Sequence, residues 1–315
     1  MGKRVAALFL AAGYGSRLQR DIDADTSGNF AHLKGIAKAL LPLAGTPLIS
    51  HWITILNAST AADVVPFVIC NESNYPQFKQ WAATAGAAGG FIPEHIFNDG
   101  SINNDGRLGA VTDLALAIKK FHLADIDASS HQPKFAAVLV IAGDTLFLRD
   151  FGLDSFLKLA TLSSGAVSER LSELQEQPPC FVASYRVAHD MDTLKTGIIE
   201  TSPTDIISTA ASTGYTASTD IPRVTSLVEK PHPAETASRL ACPCFYYLSH
   251  SSLNLVQKFV DDSLTRGEGM EARDASGRFI AALVKQYPVY AVPVSGRLDI
   301  GGLASFIEAE DYFRN

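Results

Sequence analysis

Cysteine is scarce. Four residues, Cys70, Cys180, Cys242 and Cys244, are scattered over 315 positions, too few and too irregular for a disulfide framework, so a reducing, cytoplasmic setting is the simpler expectation. Cys242-Pro243-Cys244 lacks the spacing and the partner pairs of a zinc site and reads as a pair of small strand residues. No apolar run has the length to span a membrane. Lys3-Arg4 and the apolar stretch to Ala12 imitate a signal peptide, but the same residues open a glycine turn, and Ala6 stands where a myristoylation motif wants Ser or Thr. Positive charge is not in excess either. The net charge of −7 argues against a nucleic-acid surface, so any anion site must be local. Neither an internal repeat nor a linker between independent domains is visible. With 47% hydrophobic and 19% charged residues, the composition is that of an ordinary globular protein, long enough for one large α/β domain or two smaller ones.

What is present begins at once. Val5–Ala11 is a short, nearly unbroken apolar run, as expected of a strand buried on both faces of a parallel sheet. Gly13 and Gly15 follow it. Glycines at the end of such a strand let the backbone turn tightly and offer bare N–H groups to an anion. Arg17 adds a fixed fork of donors and Lys38 a mobile point charge, both suited to phosphate oxygens. A dinucleotide-binding fingerprint would need a third glycine where this chain has Leu18.

Leu10-Ala11-Ala12-Gly13-x-Gly15-Ser16-Arg17-Leu18, followed by Lys38-x-Leu40-Leu41-Pro42-Leu43-x-Gly45-x-Pro47, resembles the signature of the nucleotidyltransferases that make nucleotide sugars and related activated intermediates. The segment between the two blocks, Gln19–Ala37, is longer than usual for that family and holds a second lysine, Lys34. The choice of Lys38 rests on the Leu-Leu-Pro after it. The fold this implies is a Rossmann-like, doubly wound, mixed and mostly parallel α/β sheet of the GT-A type. No left-handed β-helix is expected at the C-terminus.

Later blocks extend the resemblance. Pro47 opens a predicted helix with Leu48, Ile49, Trp52, Ile53 and Leu56 at helical spacing, and Val64–Cys70 reads as a second buried strand. At the loop-to-helix junction near residue 109 the family places a glycine beside the base, which points to Gly109; the glutamine that thymidylyl and uridylyl members put before it is missing. Phe135–Ala142, the most apolar strand, ends in Gly143-Asp144. A carboxylate just past a central strand sits where α/β sheets bind ligands, and Mg²⁺ takes one or two such carboxylates plus phosphate oxygens. Asp144 is therefore a candidate metal ligand and, by the resemblance, part of the nucleotide site with Leu10, Ala11, Ala12, Gly13, Gly15 and Gly109.

The second half, about residues 166–315, reads as the acceptor-binding part, against a nucleotide-binding half over about 1–165. Cys180–Val187, Thr196–Glu200 and Val224–Val228 are predicted strands, the last ending in Glu229-Lys230-Pro231. In the family the acid there holds the acceptor, the lysine its phosphate, and a glycine at the position of Gly197 approaches the sugar ring. Between them, Thr201–Arg223 is rich in Ser, Thr and Ala and reads as a hairpin or loop. Ala241–Leu248 reads as a strand, with Pro243-Cys244 where the family often has a glycine. Arg297-Leu298-Asp299-Ile300-Gly301 resembles the family's Asp-Ile-Gly block without the usual aromatic, and makes Asp299 the second metal candidate.

Together these blocks imply Mg²⁺-dependent transfer of a nucleotidyl group from an NTP to a sugar 1-phosphate, with Arg17, Lys38 and Lys230 as the catalytic cations. Two alternatives stay open. One is a cytidylyltransferase acting on phosphocholine or a phosphonate such as 2-aminoethylphosphonate, and the other a non-catalytic, regulatory pyrophosphorylase-like subunit. The expected partners are an NTP and a phosphorylated small acceptor, with no nucleic acid and no membrane; a homo-oligomer is compatible with the sequence.

Overall fold

In the computed structural model, which describes residues 4–162, 177–209 and 219–314, the first strand, Arg4–Ala11 (β1), sends alternate residues into two cores. Val5, Ala7 and Phe9 enter one and Ala6 and Leu8 the other, all fully buried. This is why the run is apolar without alternation: a strand covered on both faces has no polar side.

The chain continues through a helix Ser16–Ala24 (α1), a small hairpin of Pro42–Leu43 (β2) and Thr46–Pro47 (β3), and the helix Leu48–Asn57 (α2). Asp63–Cys70 (β4), Tyr75–Trp81 (α3), Ile96–Asn98 (β5), Ala110–Lys120 (α4), Ala137–Ala142 (β6), Thr145–Phe147 (β7) and Leu153–Leu162 (α5) complete the first part. The second contains Cys180–Arg186 (β8), Gly197–Thr209 (β9), Thr219–Glu229 (β10), Leu240–Cys242 (β11) and Phe245–Ser249 (β12). Asn254–Thr265 (α6), Glu271–Asp274 (α7), Ser276–Leu283 (α8), Val289–Pro293 (β13), Arg297–Asp299 (β14) and Leu303–Arg314 (α9) follow.

Ten strands form one sheet in the order β11-β9-β10-β13-β8-β12-β6-β1-β4-β5. Helices α1, α2, α3, α5 and α9 contribute to the first core, and α4, α6 and α8 to the second, so the sheet is doubly wound. Its parallel part is β6-β1-β4-β5, with one further parallel pair, β8 and β13. The other ladders are antiparallel, beginning where β12 pairs with β6. The sheet is thus mixed as expected, but mostly parallel only in the first half; in the second half antiparallel pairings prevail. Antiparallel neighbours in the second half need no long helical crossover of the kind that parallel ones require.

Of the two readings of Thr201–Arg223, hairpin or loop, the described residues take the hairpin: they belong to β9 and β10, whose antiparallel ladder pairs residues 206–209 with 219–222 and shifts register on either side of Val224. Side chains at 201–207 are half-buried or exposed, so this ribbon needs few large apolar residues. The intervening 210–218 lie outside the described residues. The expected strand Ala241–Leu248 is broken at Pro243-Cys244, between β11 and β12, because proline supplies no N–H to a ladder.

Trp52 links this core to the chemistry-bearing edge. It is fully buried, stacks on Phe245 with ring centroids 5.6 Å apart, and donates its indole N–H to the carbonyl of Thr145 at 2.7 Å. The backbone directly after Asp144 is thereby fixed from below.

Candidate active site

The glycine turn is built around one left-handed residue. Gly15 has φ +63° and caps α1, and a Cβ there would lie 3.3 Å from Lys38 Cγ. The lysine stem thus lies directly across the glycine. Its ammonium reaches Asp144 Oδ2 at 3.1 Å. Lys34, the other candidate, pairs with Asp23 in an exposed ion pair. Of the two lysines, Lys38 is the one at the strand ends.

Gly143 brings Asp144 to that turn. Its N–H donates to the Leu10 carbonyl at 2.9 Å, and a Cβ would meet that oxygen at 2.9 Å and the Ala11 side chain at 3.0 Å. Asp299 arrives from the opposite end of the chain. β14 pairs with β7, placing Asp299 opposite Thr145, and the Ile300 N–H donates to the Asp144 carbonyl at 2.9 Å. Arg17 reaches the same place: a Cβ on Gly301 would stand 3.3 Å from Arg17 Nη1 and 3.6 Å from Asp299 Oδ2. Among the described residues the exposed Arg17 guanidinium has no ion-pair partner.

A cavity of about 340 Å³ opens beside these groups at the carboxyl ends of β1 and β6. Leu10, Ala12, Gly13 and Gly109 line one part, and Gly197, Glu229 and Lys230 another, with Asp299 on its wall. Ala11, Gly15, Arg17, Lys38 and Asp144 flank it rather than line it. Gly109 has φ +91°, and a Cβ would fall 2.8 Å from the Arg273 carbonyl. Close packing of α4 against α7 is therefore reason enough for glycine there, whatever lies in the cavity.

In the other part, Glu229 stands opposite Gly197 in the β9–β10 ladder and accepts a hydrogen bond from the Gly277 N–H. Burial raises its pKa above the usual carboxylate range, opposed by the positive charge of Lys230. Lys230 has φ +49°, a left-handed backbone that a non-glycine residue adopts at a cost, with its N–H held by the Thr196 carbonyl at 3.1 Å.

Four groups that sequence reasoning missed also line this cavity: Arg107, Asp113, Lys195 and Arg297. Arg297 is nearly buried and donates to Asp299 Oδ1 at 2.9 Å, Tyr185 Oη at 3.2 Å and Thr145 Oγ1 at 3.3 Å. Only for Asp113 was a signal legible: it is a lone acid amid Val111, Leu114 and Ala115 on the apolar face of α4. Cys244, read as a small strand residue, lies in the cavity wall beside Pro243, and burial pushes its thiol up to about 12. It is a wall, not a nucleophile.

A family model described as MobA-like NTP transferase domain matches residues 7–200. The chain belongs to that family. It is a nucleotidyltransferase, as the sequence blocks implied. Similar solved structures have the same fold over the whole chain. A UDP-glucose pyrophosphorylase complexed with UDP-glucose is 17% identical with a TM-score of 0.62, covering 100% of this chain and 99% of that one. A UTP-bound enzyme of the same kind from Acinetobacter baumannii is 15% identical with a TM-score of 0.60, over 99% and 93%. The CTP:phosphocholine cytidylyltransferase of Streptococcus pneumoniae is 16% identical with a TM-score of 0.54, over 98% of each chain. At these identities the likeness establishes the fold and leaves the substrate open. A comparison with curated protein sequences gives no match.

The family's chemistry raises the question of a metal. Among the described residues no three His, Cys, Asp or Glu side chains cluster to form a protein-only site. Asp144 directly precedes Thr145, which faces Asp299 in the β7–β14 ladder, and each aspartate has an oxygen, Oδ1 and Oδ2 respectively, with no hydrogen bond among the described residues. Two such carboxylates fit a hard divalent cation that takes its other ligands from phosphate and water. Among the described residues no helix is long and apolar enough to cross a membrane.

Proposed function

We propose that the protein transfers a nucleotidyl group from an NTP to a sugar 1-phosphate, giving an NDP-sugar and pyrophosphate. The observation that carries this reading is the joining of the glycine turn and the Gly197–Glu229–Lys230 group in a single cavity, with Lys38, Asp144, Arg17 and Asp299 along its side. On this reading about residues 1–165 hold the nucleotide and 166–315 the acceptor.

Both reactants are anions, so alignment and charge neutralisation dominate the barrier. The acceptor phosphate is ionised at neutral pH. One of its oxygens attacks the α-phosphorus, the bond to the bridging oxygen breaks, and pyrophosphate leaves with the electron pair. No protein nucleophile or base is needed. Gly13 and Gly15 leave backbone N–H groups free for the triphosphate. Arg17 would neutralise the departing pyrophosphate, and Lys38 would exchange Asp144 for a phosphate oxygen as substrate arrives. Lys230, with Lys195 beside it in the cavity wall, would hold the attacking phosphate, and Glu229 would accept hydrogen bonds from sugar hydroxyls across Gly197. Asp144 and Asp299 would hold Mg²⁺, whose charge would withdraw electron density from the α-phosphate.

A cytidylyltransferase on phosphocholine or a phosphonate is the second reading. It is favoured by the absence of a glutamine before Gly109 and by Pro243-Cys244 in the cavity wall where the family often has a glycine. Pyrophosphate release, measured with each of CTP, UTP, dTTP, GTP and ATP against sugar 1-phosphates, phosphocholine and 2-aminoethylphosphonate, separates the two. The proposal requires release with a sugar 1-phosphate that stops on EDTA treatment and in Asp144→Asn. Release that survives either change removes the metal role, and release with phosphocholine or the phosphonate alone replaces the acceptor.

A further inference from the structure

Arg297, on β14, lines the cavity with 12% of its side chain exposed. A guanidinium so nearly removed from water must be matched by acceptors, and three strands supply them. Nε donates to Tyr185 Oη of β8 at 3.2 Å, and Nη1 donates to Thr145 Oγ1 of β7 at 3.3 Å and to Asp299 Oδ1 of β14 itself at 2.9 Å. These bonds occupy three of the five N–H groups and fix the plane of the fork. The two N–H groups of Nη2 have no acceptor among the described residues. They are not sealed in either: the fully enclosed side-chain polar atoms without a partner among the described residues are Thr112 Oγ1, Asp113 Oδ1, His250 Nδ1 and Ser251 Oγ, and Nη2 is not one of them. Its donors therefore open onto the cavity.

Neutralising Asp299 alone does not call for arginine. An ammonium in the same place would spend all three of its N–H groups on the same three oxygens, whereas the guanidinium satisfies them and keeps a pair of donors over. The place of that pair follows from the strands. On one side the fork is tied to Asp299 and to Thr145, the residue after Asp144. On the other it is tied to Tyr185, which faces Ala241 across the β8–β11 pairing, and the next residue, Cys242, faces Gly197 across β9–β11. Arg297 thus spans the gap between the two candidate metal ligands and the strands that carry the acceptor end.

We infer that Arg297 is a further catalytic residue, whose Nη2 donates to the attacking phosphate or phosphonate of the acceptor while Nε and Nη1 hold the fork in place. This rests on nucleotidyl transfer to such an acceptor, which both readings of the proposed function share.

The test uses the NTP and acceptor that release pyrophosphate in the panel above, with equilibrium binding of the NTP measured in the absence of acceptor. Arg297→Lys keeps the charge beside Asp299 and removes the spare donors; KM for the acceptor should rise about 10- to 100-fold, the range of a hydrogen bond to a charged group, with NTP affinity within about threefold of the unmodified protein. An acceptor KM that stays within about threefold would overturn the inference, and so would an equal loss of NTP affinity, because the arginine would then serve only Asp299. Tyr185→Phe leaves the bonds to Asp299 and Thr145 but frees Nε, so the fork loosens and acceptor KM should rise about threefold or more. Should Arg297→Lys fail to fold, an unchanged acceptor KM in Tyr185→Phe overturns the inference by itself. Release from no pair in the unmodified protein would overturn the proposed function and this inference with it, a different failure from release that ignores both substitutions.

Discussion

Replacing Gly15 with Ala tests whether backbone conformation in the glycine turn governs Lys38. At φ +63° an L-residue costs about 1–2 kcal/mol, enough to lower Tm by a few degrees in a chain of this size. The added methyl also lies 3.3 Å from Lys38 Cγ, closer than a comfortable contact, so the flexible stem must yield. Its ammonium, 3.1 Å from Asp144 Oδ2, is then displaced from the phosphate-facing edge. A misplacement of about 1 Å in a positioning group can cost about 100-fold in rate, so kcat should fall far more than stability explains. The assay is pyrophosphate release beside a thermal melt, run as a cycle with Lys38→Ala. If the damage acts through Lys38, Gly15→Ala should cost no further rate in the Lys38→Ala background. A variant that loses stability but keeps kcat within threefold, or that adds its full penalty on top of Lys38→Ala, would refute the coupling.

Two further outcomes follow from strain and burial. Lys230→Gly should melt higher than Lys230→Ala by an amount equivalent to about 1–2 kcal/mol, because φ +49° suits glycine, while both lose activity; equal melting temperatures would mean the backbone relaxes. Asp113 holds its proton in the folded state up to about pH 8, whereas an ordinary unfolded carboxylate releases it near pH 4. Its contribution is therefore complete below about pH 4 and declines as pH rises through about 8, with a limiting slope of about 1.4 kcal/mol per pH unit. Thermal melts from pH 5.5 to 8.5 should show the unmodified protein losing stability relative to Asp113→Asn; parallel curves would mean that Asp113 is ionised throughout.

The family, the doubly wound fold and the positions that flank the cavity were legible because each is written in contiguous residues. An unbroken apolar strand, glycines at its end and a carboxylate after Ala142 carry their meaning locally: burial on two faces, backbone freedom, and an acid at a strand end. The ribbon after Thr201 read equally as hairpin or loop because its strands need little apolar surface, and Pro243 broke a strand whose composition looked continuous.

Periodicity and the ordered blocks alone determined that this is an α/β nucleotidyltransferase. Only the tertiary structure decided that Lys38 rather than Lys34 meets Asp144, that Gly109 is required by the Arg273 carbonyl, and that Arg107, Asp113, Lys195 and Arg297 line one cavity. Those facts depend on contacts between residues far apart in the chain, and the same side chains in the same order would mean something else in a sheet of different register.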